Sequence, residues 1–150
     1  MTAYTTPSSL SEEPETPLQR LLRLAHVRRE QTVCVAGPAS LDITTELCRA
    51  GFGRVECARQ ATSAGADETS DLLILTGPSE SLGGLAARTA PLLRNGGVLA
   101  AWLERTEDDP PIRFALLAHG LEITTSTLDV CGRLAVIHRV WRRSRLALAS

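Results

Sequence analysis

The sequence contains no lysine; its 16 basic residues are all arginine. That absence excludes Schiff-base catalysis and a lysine general base. It also matches the codon usage of a GC-rich, bacterial genome, since arginine codons are rich in G and C and lysine codons are not. The four cysteines, Cys34, Cys48, Cys57 and Cys131, include no CxxC pair and have no histidine at metal-ligand spacing, so no metal site is expected. Three of them lie among apolar neighbours, where free cysteine behaves as a small buried hydrophobe suited to a reducing cytoplasm. No apolar run approaches the roughly 20 residues of a membrane span. The first residues carry neither a basic start nor an apolar stretch, so no signal peptide is expected and the localisation expected is cytoplasmic. A net charge of −1 provides no global field toward nucleic acid or acidic lipid.

What is present is the balance of one globular domain, 43% apolar and 22% charged in 150 residues, too short for two ordinary domains. Residues 1–16, rich in Ser, Thr, Pro and Glu, are expected to be a disordered tail, because they bury too little apolar surface to offset their ordering entropy. Residues 17–150 are expected to form the domain. Thr16 and Pro17 suit a helix N-cap and first helical position. Leu18, Leu21, Leu22 and Ala25 then recur at helical spacing, with Arg20, Arg23 and Arg28 off the stripe. Such a helix packs its stripe on the domain body.

Strand and helix patterns then alternate. Thr32–Ala36, Arg54–Ala58, Asp71–Thr76 and Val98–Leu103 read as strands, the first and third ended by Gly-Pro. Leu41–Arg49, Leu82–Arg94 and Pro110–His119 read as helices stopped by Gly51, Asn95-Gly96-Gly97 and Gly120; Leu85, Leu92 and Leu93 are core positions. Apolar strands alternating with helices predict a three-layer α/β sandwich with a mainly parallel sheet of about six strands. Leu121–Thr125 and Leu134–Val140 have no helix between them, only a turn-like Asp129–Arg133 region. They are expected to pair antiparallel at one side of the sheet.

That ending, with Leu92-Leu93-Arg94-Asn95-Gly96-Gly97-Val98-Leu99 and Ala118-His119-Gly120-Leu121-Glu122-Ile123, resembles the class I S-adenosylmethionine (SAM)-dependent methyltransferase family over residues 17–141. The resemblance implies the Rossmann-like methyltransferase fold and, in an intact member, a SAM site. The family's first strand ends in an acidic residue and a loop of the type D/E-x-G-x-G-x-G. Here Val35 falls at the acid, Gly37 matches the first glycine, and Ala39 and Leu41 occupy the other two; Pro38 removes a backbone donor. The ribose-binding carboxylate of the second strand falls on Arg59, give or take one residue, and a guanidinium has donors but no acceptor. Arg59 would suit a 2′-phosphate, but no glycine-rich turn accompanies it. Gln60–Ser70 is too short for the family's third strand and its helices, so that strand, which recognises adenine, is expected to be missing. The second strand then becomes an edge to be covered or paired, with a second copy as one partner.

Ligands of open α/β sheets bind beyond the carboxyl ends of the strands. The cofactor-side candidates are Gly37, Ser40, Asp42, Arg59, Thr76 and Gly77; Ser79, Trp102 and Glu104 are candidates for a ligand cleft. Plainer readings stand beside them: Ser79 and Glu80 as a helix N-cap and first-turn acid, Trp102 as a core cap, Asp42 as a complement to a helix dipole. His26, His119 and His138 fit no GxSxG triad, and His119 before Gly120 suits a helix end. Arg139, Arg142, Arg143 and Arg145 flank Trp141, but a chain with 3% aromatic residues and a net negative charge is a poor nucleic-acid binder. The expected function is a methyltransferase-like domain without SAM binding or catalysis, engaging a protein partner, itself or a small ligand. The alternative is a compact, divergent SAM-dependent methyltransferase acting on a small molecule.

Overall fold

The computed structural model describes residues 15–58, 69–130 and 132–142; the expected tail falls outside these except for Glu15 and Thr16. The first helix, α1 (Pro17–Leu24), begins where its sequence directs. Thr16 Oγ1 accepts the Gln19 N–H at 3.1 Å and Gln19 Oε1 accepts the Thr16 N–H at 3.0 Å. This reciprocal cap contributes about 1 kcal/mol. Leu18, Leu21, Leu22 and Ala25 are all buried.

The remaining elements are β1 (Thr32–Ala36), α2 (Ser40–Arg49), β2 (Arg54–Cys57), β3 (Ser70–Leu75), α3 (Ser79–Thr89), β4 (Leu93–Leu103), α4 (Asp109–Ala118), β5 (Leu121–Val130) and β6 (Arg133–Arg142). They form one sheet in the order β2-β1-β3-β4-β6-β5. The β1–β2, β1–β3 and β3–β4 pairs are parallel, whereas β6 runs antiparallel to both β4 and β5. Alternation along the strands splits the core in two. Val33, Val35, Leu72 and Ile74 pack under α1 and α2, while Cys34, Leu73, Leu75, Leu99 and Val136 pack under α3 and α4. The expected three-layer sandwich is present, and among the described residues no strand lies beyond β2.

Several boundaries differ from those expected. The helix expected over Leu82–Arg94 is α3, which starts at Ser79 and ends at Thr89. Thr89 Oγ1 donates back to the Leu85 carbonyl at 2.7 Å, and Pro91 lacks the N–H needed to continue. Leu85, Leu92 and Leu93 are nevertheless buried. Asn95-Gly96-Gly97 does not end a helix; it is an irregular stretch of β4, where the register shifts between the Ser70–Leu93 and Leu72–Val98 pairs. Arg142 secures it by donating to the Leu93 carbonyl, and Arg139 Nη1 donates to the Gly96 carbonyl at 2.7 Å. Two of the C-terminal arginines are thus occupied structurally. The last two strands extend further than expected, because Val130 pairs directly with Arg133 in a tight hairpin with Gly132 at φ +81°. Of the cysteines, Cys34 is buried, Cys57 is intermediate and Cys48 is exposed on α2, against the expectation of burial; its apolar sequence neighbours lie on other sides of that helix.

Helix α4 is fastened to the sheet by a buried polar triplet. His138, fully buried on β6, lies 2.7 Å through Nε2 from Asp109 Oδ1 and 2.9 Å through Nδ1 from Thr125 Oγ1. The carboxylate only accepts, so Nε2 donates, and in the neutral ring Nδ1 accepts the threonine hydroxyl. Burial pulls the His138 pKa below its ordinary 6.5, with Asp109 opposing that shift. Between the lowered native value and 6.5 the unfolded chain binds more protons, so this contribution is complete above 6.5 and is lost as pH falls below it. Urea unfolding from pH 7.5 down to about pH 5.5 is expected to show a steeper loss of stability in wild type than in His138→Gln, which cannot titrate. Parallel slopes would contradict a buried neutral imidazole.

Candidate functional site

The carboxyl ends of β1, β3 and β4 meet beneath the starts of α1 and α2. The turn after β1 is shaped by Gly37, at φ +110°. A Cβ there would sit 2.1 Å from the Thr76 carbonyl oxygen and 2.4 Å from Thr76 Oγ1, so no other residue fits. Thr76, at the end of β3, is itself buried. Its hydroxyl donates to the Ala36 carbonyl at 3.0 Å and accepts the Ala39 N–H at 3.2 Å. Its backbone N–H donates to the same Ala36 carbonyl at 2.9 Å. Ser40 N–H turns back to the Gly37 carbonyl at 3.2 Å, and Pro38 has no donor. Two of the backbone donors that the turn would offer to an anionic ligand, Ala39 N–H and Ser40 N–H, are therefore already bonded.

Beside this turn lies a cavity of about 280 Å³. Leu18, Ile43 and Leu75 give it apolar walls; Thr16, Pro17, Ala39, Glu46, Thr76, Gly77, Trp102 and Arg133 complete it. Trp102 comes from β4, and Arg133, the first residue of β6, places its guanidinium 4.8 Å above the indole ring. The indole Nε1 is shielded from solvent and has no acceptor among the described residues.

Of the expected site residues, Thr76, Gly77 and Trp102 line this cavity. Gly37 shapes the turn next to it. Ser40 opens α2 and Asp42 is an exposed acid in its first turn, consistent with a dipole complement. Glu104 is exposed beyond β4 and is not among the lining residues. Ser79 is not the cap of α3: Pro78 is the N-cap, Ser79 the first helical residue, Glu80 the first-turn acid, and Ser81 Oγ donates to the Pro78 carbonyl at 2.9 Å. Pro78 takes the cap position because its φ of −66° and ψ of 149° set the extended entry that a cap needs. Arg59 lies outside the described residues. Trp102 both packs against the core and faces the cavity, so its two readings coexist. His119 caps the end of α4, its Nδ1 3.0 Å from the Ala115 carbonyl.

No sequence signal pointed to Ile43, Glu46 and Arg133, which enter the cavity from elements read only for their secondary structure. Nucleophilic chemistry has no support at Cys34, whose thiol burial pushes up to about 11. Among the described residues no group of three His, Cys, Asp or Glu side chains is placed to hold a metal ion, and no helix is long and apolar enough to cross a membrane.

No protein-family model and no curated protein matches the sequence. Solved structures do match the fold. The ribosomal protein L11 methylase of Lactobacillus delbrueckii subsp. bulgaricus superposes with a TM-score of 0.61 at 15% identity, covering 85% of this chain and 78% of its own. The 1,6-didemethyltoxoflavin-N1-methyltransferase of Burkholderia thailandensis, solved with 1,6-didemethyltoxoflavin and S-adenosylhomocysteine bound, gives 0.57 at 14% identity, covering 86% and 80%. The precorrin-6y C5,15-methyltransferase of Geobacter metallireducens gives 0.56 at 12% identity, covering 83% and 88%. The chain has the Rossmann-like fold of the class I SAM-dependent methyltransferases.

Proposed function

We propose that this domain keeps the methyltransferase fold without SAM binding or methyl transfer, and works by binding a small ligand or a protein, a second copy included. The observation that carries this reading is the closed turn after β1. Ala39 N–H is bonded to Thr76 Oγ1 and Ser40 N–H to Gly37 O, so an incoming cofactor would have to displace bonds already made. The strand before the turn ends in Val35 and Ala36, both fully buried and apolar, so no carboxylate there can receive a ligand's amino group. Each buried polar contact forgone is worth about 1–3 kcal/mol, and several together move a micromolar ligand toward millimolar binding.

A second reading, a compact and divergent SAM-dependent methyltransferase with a small-molecule substrate, is favoured by the placement of the cavity at the strand tips and by the methyltransferases that share the fold. Thermal unfolding with SAM separates the two. At 1 mM ligand a dissociation constant of about 100 µM adds about 1.4 kcal/mol, which for a domain of this size raises Tm by roughly 3–6 °C. No shift is expected; a shift of that size would establish the second reading.

A further inference from the structure

Resting on the reading that the cavity at the strand tips holds a ligand other than SAM, we propose that it takes a planar aromatic monocarboxylate, stacked within reach of Trp102 and neutralised by Arg133. Three observations converge on that chemistry. The Trp102 indole lines the cavity and offers it an aromatic surface, while its Nε1 is shielded from solvent and so from a ligand's oxygens. Arg133 is exposed, forms no ion pair among the described residues and rests on the indole face at 4.8 Å. Its planar fork is thereby oriented while its N–H groups stay available to a carboxylate. The walls between these groups, Leu18, Ile43 and Leu75, are aliphatic, which suits a flat hydrocarbon face rather than a polyol or a phosphate.

The remaining charge sets a limit on the ligand. Glu46 lines the same cavity from α2, so a second anionic group would meet repulsion, and a single carboxylate is the fit. A volume of about 280 Å³ accommodates one ring or two fused rings, at the small end of ligand cavities.

Benzoate, its neutral isostere benzamide and the non-planar cyclohexanecarboxylate are suitable probes. Indole emission reads Trp102 alone in a Trp141→Phe background, because the chain has two tryptophans. Benzoate is expected to change the emission with saturation below about 20 mM, as suits a ligand of so few atoms. Benzamide and cyclohexanecarboxylate should bind about tenfold more weakly, a difference typical of one charge-assisted contact or one lost stacking face. Arg133→Gln should weaken benzoate about tenfold and leave benzamide unchanged, erasing the preference for charge. Trp102→Phe, followed by thermal shift, should reduce the benzoate-induced stabilisation.

Equal binding of benzoate and benzamide, a benzoate affinity unmoved by Arg133→Gln, or no emission change would overturn the assignment. SAM titrated into the same sample keeps the two failures apart. Saturable SAM binding sinks the non-SAM reading beneath the proposal, whereas silence toward both SAM and benzoate sinks the ligand class alone.

Discussion

Gly37→Ala is expected to leave little or no folded protein. The added Cβ would lie 2.1 Å from the Thr76 carbonyl oxygen and 2.8 Å from its carbonyl carbon. Both atoms belong to the backbone of Thr76, which directly follows β3, is bonded to Ala36 of β1 and cannot rotate away, since β3 is held from both sides by β1 and β4. The alanine would also have to hold φ +110°. Backbone strain of about 1–3 kcal/mol adds to overpacking of about 1–3 kcal/mol or more, against a total stability of about 5–15 kcal/mol. Soluble yield and urea unfolding measure this directly. Gly53→Ala is the matched control, because a Cβ there meets nothing within 4 Å and should change stability by less than about 0.5 kcal/mol. Equal stability of the two variants would show that the turn is not closed on Thr76.

Asp109→Ala is expected to cost about 1–3 kcal/mol, the range for leaving a buried hydrogen-bond donor without its acceptor. It leaves His138, with no exposed surface, holding an Nε2–H that points at nothing, and it detaches the first turn of α4 from β6. Asp109→Asn keeps an acceptor oxygen in place and should recover much of the loss. Thr125→Val removes the other partner of the ring and should cost about 1–3 kcal/mol. The Asp109→Ala and Thr125→Val losses should fail to add, since both act through one imidazole. A loss below about 1 kcal/mol for Asp109→Ala would mean that the triplet does not fasten the helix.

The class of fold was legible because its signals are local. Continuous apolar runs at Val33–Ala36 and Leu72–Leu75 are what a strand buried on both faces requires. The Thr16–Pro17 cap and the Gly120 stop follow from the backbone groups that a helix end leaves open. Illegible features were those set by contacts between distant positions. Gly97 looks like part of a helix stop, yet a Cβ there would come within 2.8 Å of the Arg94 carbonyl oxygen and 3.1 Å of the Asp71 carbonyl oxygen on β3; the folded-back β4 backbone and the close strand approach at the shifted register together explain that glycine. His138 and Asp109 are far apart in sequence and neither carries a motif. Trp102 could be placed at a strand tip, but its companion Arg133 could not, because only the antiparallel pairing of Leu103 with Leu134 brings the β6 start beside the β4 end. The missing glycines and acid after β1 were visible as types. That Thr76 would engage the Ala39 N–H was not, since it depends on the β1–β3 register.

The proposed loss of SAM binding rests on the turn between β1 and α2, whose Ala39 and Ser40 N–H groups are already bonded to Thr76 and Gly37. Isothermal titration of the wild-type chain with S-adenosylhomocysteine tests it without any need for a methyl acceptor. Heats indistinguishable from dilution up to about 1 mM ligand are predicted, as several lost contacts imply. A saturable isotherm with a dissociation constant tighter than about 100 µM would contradict it and make the chain a methyltransferase candidate in its own right.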